Sequence, residues 1–88
     1  MDENDLKKLQ KDLDVEIRNM GGLDDISREK LDKLVSYIEM KLQNPHDPAH
    51  HDRLLEHLED NIYYFEATHP DLTTVMNNML MMLSNLGI

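Results

Sequence analysis

Apolar residues recur at spacings of three and four along almost the whole chain, and the strict alternation of a half-buried strand is missing. Leu6, Leu9, Leu13, Ile17 and Met20 form one narrow stripe. Leu31, Leu34, Val35, Ile38 and Leu42 form a second. Leu54, Leu55, Leu58, Ile62 and Phe65 form a third, with His51 on the same side, Tyr64 at its edge and Tyr63 pointing away. The fourth is the widest. Leu72, Val75, Met76, Met79, Leu80, Met82, Leu83 and Leu86 cover about 160° at 100° per residue. The pattern predicts helices over residues 3–20, 27–43, 48–68 and 70–86, as an all-α, up-down four-helix bundle in one domain spanning 1–88. Dimerisation would be one way to complete its core.

The residues between the stripes say where each helix stops. Gly21-Gly22 ends the first, because glycine accepts the left-handed cap conformation without a steric cost. Ser27 is expected to cap the second, with Ile26 outside it and Leu31 four residues on, the spacing of a hydrophobic staple. Pro45 and Pro48 break the chain between helices two and three. Asp47 then caps helix three, with Pro48 in its first turn. Pro70 begins helix four, where Asp71 sits well against the positive end of the helix dipole.

Charge makes helix four unusual. The chain has 88 residues, 9 of them basic and 18 acidic, for a net charge of −9, yet no side chain after Asp71 is charged. The face opposite the apolar arc holds Thr73, Thr74, Asn77, Asn78, Ser84 and Asn85, where a water-facing helix usually carries lysine and glutamate. Three readings are open. Helix four is the central helix of a monomeric bundle, or a self-complementary dimer interface, or a neutral amphipathic helix on a membrane surface. The narrow stripes of helices one and two favour the dimer, since a 160° arc needs more cover than they offer alone. The expected contact residues are Tyr64, Phe65, Leu72, Val75, Met76, Met79, Met82, Leu83 and Leu86.

Composition removes several classes of function. A single short chain is too small for a kinase, a barrel enzyme or a dinucleotide-binding domain joined to a substrate domain. The acid excess opposes nucleic acid and anionic lipid as partners. There is no cysteine for a disulfide or a thiolate metal site. Ser27, Ser36 and Ser84 lie on no glycine-flanked elbow, and the three glycines form no phosphate loop. The expectation is therefore no enzyme and no cofactor. The acidic start, Met1 to Asp5, and a longest apolar run of Met79–Leu83 suit neither a secretory signal nor a membrane span, so the expected location is cytoplasmic.

Four of the five histidines, His46, His50, His51 and His57, lie among carboxylates. Imidazole plus carboxylate is the ligand set of zinc and related metals. A metal-binding protein centred on them is the alternative function. The spacing of a zinc-protease helix is absent, because Pro48 and a turn separate His46 from His50. Glu66 and His69 are three apart, as in di-iron helices, but only one such pair exists and it stands at a helix end. A further alternative is an acidic decoy for a basic, nucleic-acid-binding partner.

The segments Leu54-Leu55-Glu56-His57-Leu58-Glu59, Phe65-Glu66-Ala67-Thr68-His69-Pro70-Asp71-Leu72-Thr73 and Leu83-Ser84-Asn85-Leu86-Gly87-Ile88 carry a resemblance. They are similar to a family of short, uncharacterised bacterial proteins known as a domain of unknown function. Its C-terminal pattern reads phenylalanine-glutamate-x-x-histidine-proline-x-leucine, a helix, then leucine-x-x-x-glycine-isoleucine. Here Gly21-Gly22 stands where that family has an acidic turn. The resemblance implies a small, all-helical, cytoplasmic bacterial protein and brings no activity, substrate or catalytic residue. The expected function is a non-enzymatic protein-interaction module, a homodimer formed through the uncharged faces of helices three and four.

Overall fold

A computed structural model describes residues 3–85. Among the described residues there are four helices, α1 (Glu3–Asn19), α2 (Asp25–Gln43), α3 (Pro48–Phe65) and α4 (Pro70–Asn85). Each helix packs against two others, giving the cyclic order α1, α2, α3, α4 with α4 returning to α1. The short connections make neighbours antiparallel, which is the up-down bundle that the apolar stripes require. The molecule measures 35 × 19 × 19 Å.

The core closes within one chain. Leu6 and Leu13 from α1, Leu31, Leu34 and Ile38 from α2, and Leu54, Leu58 and Phe65 from α3 meet Leu72, Met76, Met79, Met82 and Leu83 from α4. The accessible surface is 5544 Å². A compact monomer of this mass exposes about 5,400 Å², so no second copy is needed to finish the fold. α4 lies between α3 and α1, and those two helices cover its wide arc. The narrow stripe of α1 suffices because α3 already covers the other side. The loosest seam runs between α1 and α2, where Ile17, Leu23, Leu31 and Val35 line a cleft of about 220 Å³.

The helix ends correct several expectations. α2 begins two residues before the expected 27, and its N-cap is Asp24, not Ser27. Asp24 has extended backbone, and its Oδ1 accepts the Ser27 N–H at 2.7 Å. An aspartate caps as well as a serine, adds its charge to the helix dipole, and from the upstream position lengthens the helix. The staple is lost with that shift, and Ile26 is 61 % exposed. α1 ends at Asn19, and neither Gly21 nor Gly22 takes the left-handed conformation expected of a glycine cap. The exit is made instead by a short-range bond, Met20 N–H to the Ile17 carbonyl at 3.3 Å.

α3 stops at Phe65 rather than 68, because the chain must turn before Pro70. The N–H groups of Thr68 and His69 both bond to the Phe65 carbonyl, at 3.1 and 2.8 Å, and proline keeps the residue before it out of the helical region. Asp47 caps α3 as expected, accepting the Ala49 N–H at 2.9 Å with Pro48 in the first turn. The last residue expected in helix four, Leu86, lies outside the described residues.

Candidate functional site

The expected contact residues divide sharply once the bundle is assembled. Phe65, Leu72, Met76, Met79, Met82 and Leu83 are at most 3 % exposed. The chain's own helices consume them, so as a surface for a second copy they are corrected to core. Val75 is half-buried, Tyr64 is 39 % exposed, and Leu86 lies outside the described residues. The reason is physical: an arc of 160° is what a helix shows to two neighbours in its own bundle, and α3 and α1 provide them.

What α4 leaves outside is the opposite face. Thr74, Asn77, Asn78, Met81, Ser84 and Asn85 are all exposed, and none is charged. Thr74, Asn78, Met81 and Asn85 fall at spacings of four, three and four, so they form one straight row along the helix. Met81 stands in that row at 64 % exposure. Thr73, expected on this polar face, is instead buried at 6 %, its hydroxyl donating to the Pro70 carbonyl at 3.0 Å. With its donor satisfied, the threonine methyl packs like any apolar group. The outer faces of the other helices differ in kind. α2 exposes Asp25, Arg28, Glu29, Asp32, Lys33 and Glu39, and α3 exposes Asp52, Arg53, Glu56, Glu59 and Asp60.

The histidine cluster does not assemble. His51 turns into the core, His46 is exposed, and His50 Nε2 lies 3.7 Å from the Asp47 carboxylate. His57 stacks on Tyr37 of α2, with ring centroids 4.2 Å apart. Among the described residues no group of three histidine or acidic side chains is placed to hold a metal. His69, paired with Glu66 in the di-iron comparison, contacts Thr68 Oγ1 through Nδ1 at 2.9 Å and ends the turn before α4. Its carbonyl accepts the Thr73 N–H at 3.2 Å, while Glu66 is exposed.

Two buried polar groups, Lys41 and Asn61, were not expected, and a third, His51, was expected on the inward face without its surroundings. Lys41, at 3 % exposure, donates to the Pro45 carbonyl at 2.7 Å. Burial holds its ammonium below the usual lysine range, and Asp47 opposes that shift. Asn61 donates to the His57 carbonyl at 2.8 Å, while its Oδ1 is buried without a partner. His51 likewise buries an unpartnered Nδ1. Each occupies a position of the 3.6-residue core stripe, so its place on the helix was the available signal. Near Asn61, Lys30 bonds Asp60 across α2 and α3 at 2.9 Å and lies 4.8 Å from the Tyr64 ring centre. Lys30, Asp60 and Asn61 line a shallow cleft of about 250 Å³ with Ile26, Glu29, Lys33 and His57. Its lysines are already met by carboxylates: Lys33 is 3.3 Å from Glu29.

No helix among the described residues is long and apolar enough to cross a membrane. A family model described as Domain of unknown function (DUF4404) matches residues 4–88. No curated protein and no solved structure matches the chain.

Proposed function

We propose that this chain, which belongs to the family described as Domain of unknown function (DUF4404), is a non-enzymatic interaction module whose partner is a second copy of itself. The outer row of α4 is the contact surface, rather than the methionine arc beneath it. The observation that carries this reading is the neutrality of that row in a chain of net charge −9. Two such chains repel each other, and the outer faces of α2 and α3 carry charges of both signs with carboxylates in excess. Across α4 they meet without a like charge opposed.

The chemistry of the row suits a two-fold contact. A symmetric interface sets each residue against the same patch on its partner. An amide carries both donor and acceptor, so Asn78 and Asn85 can pair with amides like themselves. Met81 supplies the adaptable apolar centre. Light scattering over a range of concentrations tests the reading. A mass near twice 10.3 kDa at high micromolar concentration is expected, rising with salt because screening weakens the repulsion between acidic copies. A mass that stays monomeric at every salt concentration removes the proposal.

A further inference from the structure

Lys41 and His51 are buried ionisable side chains at one end of the bundle, on the last turn of α2 and the first turn of α3. The ammonium is spent on the connection between the helices, through its 2.7 Å bond to the Pro45 carbonyl. The imidazole has an unpartnered Nδ1. Its backbone N–H already bonds the Asp47 carbonyl at 3.1 Å, which places the ring in the positive end of the α3 dipole.

We propose that this corner is a proton-sensitive latch: neutral His51 lets the first turn of α3 dock beside Lys41, and protonation of the imidazole drives that turn off the core. An imidazolium there would be buried with no acceptor for its second N–H, against a like charge and at the wrong end of a helix. The groups around it come from three elements. α2 supplies Lys41, which repels. α3 itself supplies Asp52, which attracts but is exposed, and the connection supplies Asp47. The Asp47 carboxylate is committed to the Ala49 N–H and lies 3.7 Å from His50. α4, the other helix packed on α3, has no charged side chain after Asp71 among the described residues.

Burial first, and Lys41 second, hold the His51 imidazole below its ordinary value of 6.5, with Asp52 opposing them. The folded corner therefore binds the proton less readily than the open one. Docking is at full strength above about pH 6.5 and weakens as pH falls from there through the lower, folded value. One proton taken up on opening raises the opening constant at most tenfold per pH unit.

The test combines proton NMR titration of the histidines with amide exchange at pH 7.5 and 5.5, corrected for intrinsic rates. One imidazole is expected to titrate below 6.5, to vanish in His51→Leu, and to move upward in Lys41→Met. Amides of residues 47–54 are expected to lose protection on acidification by more than those of α4, and His51→Leu to abolish that difference. Leucine removes the orphaned nitrogen and fills similar space; should that variant not fold, the wild-type and Lys41→Met titrations decide alone. A His51 titration at or above 6.5, or equal loss of protection in α3 and α4, overturns the latch.

Discussion

α2 and α4 do the same work inside the bundle and opposite things outside it. Each turns a row of fully buried side chains to the common core, Leu31, Leu34 and Ile38 on one, Leu72, Met76 and Met79 on the other. On its outer face α2 alternates acids and bases, some paired in sequence like Glu29 and Lys33 at 3.3 Å. α4 puts threonine, asparagine, serine and methionine in the same places. The core constrains inner faces because volume and polarity there cost kilocalories. The solvated face of a bundle helix is held by no such force, so a departure from the usual charged composition reports on something other than folding. In this chain the departure is confined to one helix.

The severest substitutions act on the inner faces. Met79→Lys sets an ammonium where the side chain is fully buried and is expected to unfold the chain, at a cost above about 4 kcal/mol; loss of the helical circular-dichroism signal at neutral pH checks it. Leu34→Ala on the facing side of α2 removes packing only, for about 2–5 kcal/mol in urea unfolding. Similar order in the two results would confirm that both inner faces belong to one core, while a folded Met79→Lys would mean that α4 is not buried as described. Asp24→Ala removes the cap of α2 and is expected to lower the urea-unfolding midpoint by less than Leu34→Ala does. Its carboxyl is held below the usual aspartate range by the Ser27 hydroxyl and N–H. That contribution is present above the ordinary value and is lost as pH falls through the folded one, so wild type and Asp24→Ala should converge in acid. Gly21→Ala has the smallest effect: nothing lies within 4 Å of the added carbon and the backbone is not left-handed. A gain of about 0.4–1 kcal/mol is expected from the stiffer unfolded chain, read as a higher melting temperature.

The four helices were legible because each owes its burial to a repeated three-and-four spacing, which the tertiary fold only had to accept. The Asp47-Pro48 start of α3 was legible for the same reason: cap and first-turn proline act within four residues. The start of α2 was misread because Asp24 and Ser27 are both good caps, and the upstream one adds its charge to the dipole and lengthens the helix. The contact surface was misassigned at Leu72, Met76, Met79, Met82 and Leu83 because amphipathic pattern says that a face is covered, without saying by which chain. The family pattern was read from the C-terminal 35 residues, while the family match extends over residues 4–88. Lys41 and His51 were hidden in another way. Their chemistry lies in what surrounds them, and a sequence places His51 on an inward stripe without showing that its nitrogen meets no acceptor.

The most direct measurement is the mass of Met81→Lys beside that of the wild type, by light scattering from low to high micromolar concentration. Met81 is exposed, so the substitution should leave stability within about 0.5 kcal/mol while placing like charges face to face in a symmetric contact. The expected result is a wild type that doubles in mass with concentration and a folded variant that does not. A wild type and a variant that self-associate equally would contradict the assignment of the outer row of α4 as the surface where two copies meet.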